Sequence, residues 1–359
     1  MTGATSAEAA RLAALFQAQG AKPVDADILL SADTLLDLYG EDIRGRAYLT
    51  TDPFGGEMVL RPDFTVPVVQ MHMDSAADPA RYTYAGRVFR KQEDDPSRQR
   101  EATQVGFEVF DGSDPATSDA TVFAAIADAL AGLPVRAATG DIGILMAAVA
   151  GLKTSDTRKA ALMRHLWRPR KFRHLLDRFG GRTAPIASRA ALLAQADPLA
   201  DAAPIIGLRS KAEVQARIDA LRLDAQTPPI GEGELALIDT LLGLDATCLH
   251  VLQSLRDIAV DLPAISAAVD AFSARLDALA SQGVNVDQLA FEGSYGRTSL
   301  EYYDGFVFGF YASDAPHLPP IATGGRYDAL TAQLGAGRAV PAVGGVVRPD
   351  LVVALRGDV

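Results

Sequence analysis

Two β-forming segments on either side of a charged run constrain this chain more than any other stretch of it. Tyr82 to Phe89 reads Tyr-Thr-Tyr-Ala-Gly-Arg-Val-Phe, and Phe107, Val109 and Phe110 close the return segment. Aromatic and β-branched residues at this density favour extended backbone. Between them, Lys91 to Arg100 carries Lys91, Glu93, Asp94, Asp95, Pro96, Arg98 and Arg100. The pattern predicts an antiparallel pair with a mobile, charged tip. Arg90, Gln104 and Glu108 fall on the strands, where they are candidates for a rigid binding floor. An edge hairpin with solvated charges has the same pattern.

The 359 residues can hold one large or two ordinary domains with an ample core. A formal net charge of −11 argues against nucleic acid as a partner. The single cysteine, Cys248, excludes an intrachain disulfide and a multi-cysteine metal site, and reads as a small core residue. The five histidines are scattered without ligand spacing, which argues against zinc. No metal and no cofactor are expected. The N-terminus lacks a basic stretch leading into an apolar core. The longest uncharged apolar run, Ile142 to Leu152, is short of the roughly 20 residues that span a bilayer. A cytoplasmic protein that does not enter membranes is expected.

Along the chain, Ser6 is a candidate cap for a first helix bearing Leu12, Leu15 and Phe16 and ending at Gly20. Tyr48–Asp52 and Met58–Leu60 read as strands about a Gly55-Gly56 turn. In Leu60-Arg61-Pro62-Asp63-Phe64-Thr65-Val66-Pro67 the prolines disfavour a helix start before Val68 and present Asp63 and Thr65 on a stiff loop. Asp114-Pro115 is a helix entry, followed by Val122, Ile126 and Leu130 and a stop at Gly132. From about residue 142 to 262 the composition shifts towards Ala, Leu, Arg and Asp with helical periodicity. Here Arg164, Arg168, Arg170, Lys171 and Arg173 crowd around Trp167, as a solvated helix face or as a contact for an anion or a partner. A long helix then carries Ile265, Val269, Phe272, Leu276 and Leu279 to Gly283. Strands are predicted at Leu289–Phe291, Phe306–Tyr311 and Val340–Val347.

Familiar catalytic signatures are missing. Gly335-Ala-Gly337 lacks the third glycine of a dinucleotide loop, and Gly293-Ser294-Tyr295-Gly296 is a turn rather than a nucleophile elbow. Four stretches in order, however, resemble the catalytic core of histidyl-tRNA synthetases. They are Leu60-Arg61-Pro62-Asp63-Phe64-Thr65, the hairpin with Arg90 and Gln104-Val-Gly106-Phe-Glu108, Leu300-Glu301-Tyr302-Tyr303, and Thr323-Gly324-Gly325-Arg326-Tyr327-Asp328. The resemblance implies an α+β fold of the class II aminoacyl-tRNA synthetase type, a mainly antiparallel sheet flanked by helices. It assigns residues 1–145 and 262–359 to the core and 146–261 to a helical insertion, with no anticodon-binding domain. It also implies a histidine pocket lined by Asp63, Thr65, Gln104, Glu108, Tyr302 and Tyr303. Carboxylates suit an ammonium and Arg90 suits a carboxylate, while tyrosines flank an imidazole with apolar faces and hydroxyl tips. A strand-end core pair for Tyr302-Tyr303 and a plain turn for Gly324-Gly325 are the alternatives.

The departures point away from catalysis. Gln92 stands where the synthetases carry a glutamate near ATP. Thr298 holds the place of an arginine four residues before the first tyrosine, with Arg297 one residue off register. Gly345-Val-Val-Arg348 keeps an arginine but lacks the preceding acid. Neutral groups in place of charge stabilisers remove transition-state help and leave ground-state binding possible. With Leu35-Leu-Asp-Leu-Tyr-Gly-Glu-Asp-Ile-Arg44 and Leu60-Arg-Pro-Asp-Phe-Thr-Val-Pro67, the chain is most similar to the regulatory subunits of ATP phosphoribosyltransferase. That resemblance implies a non-catalytic subunit in the first step of histidine biosynthesis. It would form a homodimer through the first motif within a hetero-oligomer, activate a short-form catalytic subunit, and take histidine as feedback effector. The alternatives from other classes are a free-standing enzyme that activates histidine with ATP, and a tRNA-binding sensor using the cluster near Trp167.

Overall fold

The computed structural model describes residues 3–39, 45, 47–75, 79–91, 99–200, 202–297 and 302–357. Its centre is a nine-stranded sheet in the order β1-β5-β6-β12-β11-β10-β7-β9-β8. The strands are β1 (Lys22–Pro23), β5 (Ala80–Phe89), β6 (Glu101–Phe110), β7 (Val135–Asp141), β8 (Asp245–Thr247), β9 (Ala290–Glu292), β10 (Phe306–Ala312), β11 (Ala322–Arg326) and β12 (Ala342–Val347). Pairing is antiparallel throughout except for β1 with β5 and β7 with β9. A small sheet, β2 (Leu29–Ser31), β4 (Gly56–Leu60) and β3 (Leu49–Asp52), lies beside it.

The alternation of side chains along each strand divides the molecule into two cores. Val105, Phe107 and Val109 of β6 point to one face, where Phe107 stacks on Phe16 of the first helix at 5.3 Å. That face is covered by the helices Gly3–Ala18, Pro115–Ala129 and Ser266–Ser281. The residues of the opposite parity include Phe110, which joins Tyr82, Tyr84, Phe64 and Tyr327 in a second cluster on the other face. The two strands therefore pair antiparallel as the sequence predicts, and the pair has two different sides. Residues 92–98, which include Gln92, Asp94 and Asp95, lie outside the described residues, as do Gly40–Arg44 and Thr298–Glu301.

Side-chain caps set several helix starts, at Asp114, Asp141, Ser155 and Ser210. Asp114 accepts from the Thr117 amide at 3.1 Å with Pro115 at the first helical position, as its sequence predicts. Two expectations are corrected. The first helix starts at Gly3, so Ser6 lies inside it rather than capping it. A helix starts at Thr65 and runs to Ser75, ahead of Val68. Pro67 falls in its first turn, where an amide has no intrahelical partner to lose. Gly324-Gly325 lies in β11, not in a turn, and sequence periodicity missed that strand because glycines and Thr323 carry no apolar alternation.

Buried charges tie the layers together. Asp119 takes Arg275 at 2.7 Å and Arg326 at 2.7 Å, while Arg275 also reaches Asp141 at 2.8 Å and Arg326 reaches Asp328 at 3.0 Å. Residues 146–261 contribute helices whose Leu162, Phe172 and Leu176 belong to the same apolar cluster as Phe107, as does Leu166 in the turn between two of them. They also contribute β8, which pairs antiparallel with β9.

Candidate functional site

The face of the sheet opposite the first helix is paved with glycine. Across the strands one row reads Tyr82, Glu108, Gly344, Gly325, Val307 and Gly140. A side chain on Gly344 would collide with the Glu108 carboxylate, and one on Gly106 with the Tyr84 ring. A Cβ on Gly325 would come within 2.7 Å of Tyr303. Glycines here let carboxylate and rings lie close against the backbone.

Glu108, 1% exposed, is the centre of the cluster. Tyr327 Oη donates to its Oε2 at 2.6 Å and Tyr84 Oη to its Oε1 at 2.8 Å. Thr65 Oγ1 donates to Oε1 at 3.4 Å and accepts from Tyr302 Oη at 3.3 Å. Among the described residues its partners are hydroxyls and no cation. Burial outweighs those donors and pushes its pKa from the ordinary 4.5 up to about 7. The same burial, with the Glu108 charge next, drives Tyr84, Tyr327 and Tyr303 above the ordinary phenol value. Tyr302 and Tyr303 meet edge to face at 4.9 Å, and Tyr302 meets Tyr327 at 6.1 Å.

Asp63 is buried just ahead of the helix Thr65–Ser75, its Oδ1 accepting from the Val66 amide at 3.4 Å. Burial raises its pKa, and the Arg90 charge acts against that rise. Arg90 follows β5 directly, donates from Nε to the Pro62 carbonyl at 2.8 Å, and continues the hairpin ladder through its amide to Arg100. Arg348, one residue past β12, is lowered to about 10 by burial and then by the Arg90 charge. Gln104, on the Glu108 face of β6, is 2% exposed, and its Oε1 lacks a hydrogen-bond partner among the described residues. The last paired residues of β6 and β12 at this end are Val105 and Val347, so Gln104 and Arg348 come next along the two strands.

All seven predicted site residues are thus on one side of the sheet: Thr65, Glu108, Tyr302 and Tyr303 around the carboxylate, and Asp63, Arg90 and Gln104 towards the arginine end. Sequence reasoning passed over Tyr84 and Tyr327, the two closest donors to Glu108. The signal for Tyr84 is parity: it stands opposite Gly106 in the hairpin, and so on the Glu108 face. Behind it, Phe64 stacks on Tyr84 at 4.3 Å and the Arg61 guanidinium covers Phe64 at 3.9 Å. Chemically, the site offers two carboxylates, Glu108 and Asp63, with the Arg90 charge acting on Asp63, among aromatic walls. That arrangement complements a zwitterion with a polar aromatic side chain.

The comparisons agree with this class of fold. The family model described as histidyl-tRNA synthetase matches residues 3–222 and 209–352. A structure from Bacillus halodurans, described as an ATP phosphoribosyltransferase regulatory subunit/histidyl-tRNA synthetase, superposes with a TM-score of 0.69 at 20% identity, covering 98% of this chain and 79% of that one. The histidyl-tRNA synthetase of Nostoc sp. PCC 7120 gives 0.64 at 16% identity, over 99% and 72%. At these identities the likeness is one of fold: a histidyl-tRNA synthetase-like, class II core.

Two curated relatives are closer in sequence. The Brucella anthropi protein is 32% identical over 375 residues, 97% of this chain and 96% of its own. That of Brucella canis is 31% identical over 367 residues, 95% of each chain. Both are named ATP phosphoribosyltransferase regulatory subunit, and the chain belongs to that family.

Proposed function

We propose that the chain is the non-catalytic, histidine-sensing subunit of a hetero-oligomeric glycosyltransferase that joins ATP to phosphoribosyl pyrophosphate. The observation that carries this reading is Glu108, a buried carboxylate in a cage of hydroxyls without a cationic partner among the described residues. An ammonium group supplies the missing charge. In this reading Glu108 and Asp63 take the amino group of histidine, Arg90 its carboxylate, and Gln104 a polar hydrogen. Thr65 holds the Glu108 carboxylate, and the Tyr302 and Tyr303 rings flank the imidazole. Each charge-assisted bond contributes about 1.5–3 kcal/mol.

The partners in this reading are a short-form catalytic subunit and a second copy of the chain, in the cytoplasm. Among the described residues no helix is long and apolar enough to cross a membrane. Mixing the protein with a short-form catalytic subunit, weighing the product by light scattering and assaying phosphoribosyl transfer tests the reading. A complex that is active and inhibited by histidine is expected. Failure to associate or to activate overturns it.

Arg90 and Arg348, close enough for each charge to act on the other, favour a second reading: an enzyme that still activates histidine with ATP. Histidine-dependent exchange of labelled pyrophosphate into ATP discriminates the two, and none is expected.

A further inference from the structure

Trp167 is the only tryptophan of the chain. It sits at the corner between the helices Asp156–Arg164 and Pro169–Phe179 and packs against both hydrophobic clusters. It therefore stands where the helical segment meets the site face of the sheet. Its indole Nε1 donates to the main-chain carbonyl of Tyr303 at 3.2 Å. Beside it, the Leu166 carbonyl accepts from Arg297 Nε at 2.8 Å, and the Arg297 guanidinium lies 4.7 Å above the Phe172 ring. Leu166 and Phe172 are fully buried, so this corner has little room to move.

The corner thus grips the chain twice, at Arg297 and at Tyr303, on the two sides of residues 298–301. The second grip bears directly on the site. The Tyr303 ring rests over Gly325, and the adjacent Tyr302 is linked through Thr65 to Glu108. An indole N–H is a donor with a single direction, so it sets the orientation of the carbonyl it meets. Filling the corner requires only an apolar ring, but orienting this carbonyl requires the N–H.

We propose that Trp167 is a positioning residue for the amino-acid site. Its N–H, together with the Arg297–Leu166 bond, fixes the main chain that carries Tyr302 and Tyr303 and so sets ligand affinity from within the helical segment. The proposal rests on the reading of the cluster as a histidine site. A consequence is that the single indole reports occupancy of that site through its emission.

The test titrates L-histidine into the full chain by calorimetry and by tryptophan emission in parallel. For the wild type, a saturable emission change with the calorimetric Kd is expected. Trp167→Phe keeps a ring and removes the donor. It is expected to bind about 3- to 10-fold more weakly, the worth of one neutral hydrogen bond, with an unfolding midpoint within about 2 °C of wild type. Arg297→Met, which keeps the tryptophan, is expected to weaken binding and shrink the emission change. The exposed pair Arg170→Glu and Lys171→Glu, away from the tyrosines, is expected to leave the affinity alone. Wild-type affinity in Trp167→Phe, or a wild-type emission that does not change while calorimetry shows binding, overturns the proposal while the histidine reading stands. A wild type that gives neither heat nor emission change overturns that reading and the proposal with it.

Discussion

Asp119 and Glu108 are both buried carboxylates, each 1% exposed, on opposite sides of one sheet, and they are solvated by the protein in opposite ways. Asp119 lies between two guanidiniums, Arg275 and Arg326, which in turn reach Asp141 and Asp328. Glu108 lies among hydroxyls. A carboxylate with its cations in place belongs to the architecture. A carboxylate given only dipoles is stabilised in part, and a cation from outside can complete it. This difference separates the lock of the fold from its binding site.

The comparison breaks most visibly at the lock. Asp119→Ala leaves two arginines buried beside a lost partner, and removing one member of a buried ion pair costs about 3–5 kcal/mol. Chemical unfolding is expected to register that loss. A change below 1 kcal/mol would mean that the network adds little to stability.

The next effect is on pH. Glu108 titrates near 7 in the folded chain against 4.5 ordinarily, so the folded state binds the extra proton between those values. Its contribution is fully present below about pH 4.5 and is lost as pH rises through 7, by about 3 kcal/mol at 1.36 kcal/mol per pKa unit. Unfolding midpoints of wild type minus those of Glu108→Gln are expected to fall across that window and to be flat above it. An ammonium ligand favours the ionised carboxylate, so histidine binding near pH 6 is expected to release a proton. Calorimetry in buffers of different ionisation enthalpy measures it.

Glu108→Gln inverts the behaviour of Asp119→Ala. Above pH 7 it removes a buried charge without removing a cation's partner, so stability is expected to hold or rise. Histidine affinity is expected to drop about 10- to 100-fold, the worth of one charge-assisted bond. Lost stability with unchanged affinity would place Glu108 with Asp119 among the structural groups.

Much of this was legible from sequence, for physical reasons. The hairpin was, because Tyr82, Tyr84, Val88, Phe107 and Val109 state their extended backbone locally. Glu108 and Gln104 were, because period-two alternation fixes that they share a face. β11 was not, because Thr323, Gly324 and Gly325 are strand residues only through their neighbours: glycine is needed there to seat Tyr303 and Phe308. Tyr84 and Tyr327 were missed as members of the cage, since their meeting at Glu108 depends on the register of β5 with β6, of β6 with β12 and of β12 with β11. The bond from Trp167 to Tyr303 joins residues far apart in the chain and has no local signature.

The smallest effect separates direct from relayed contacts at Glu108. Tyr302 touches Thr65, and Thr65 touches the carboxylate, so Tyr302→Phe removes the neutral hydrogen bond to Thr65 and leaves the Thr65 donation in place. A cost of about 0.5–1.5 kcal/mol is expected in stability, with a modest fall in affinity. Tyr327→Phe removes a 2.6 Å donor to the carboxylate itself and is expected to cost more and to raise the Glu108 pKa further. In a double-mutant cycle, Tyr302→Phe and Thr65→Val are expected to be non-additive, because the second change already removes the partner of the first. Additive costs would mean that Tyr302 does not act on the site through Thr65, and the relay would then reduce to Thr65, Tyr84 and Tyr327 around one carboxylate.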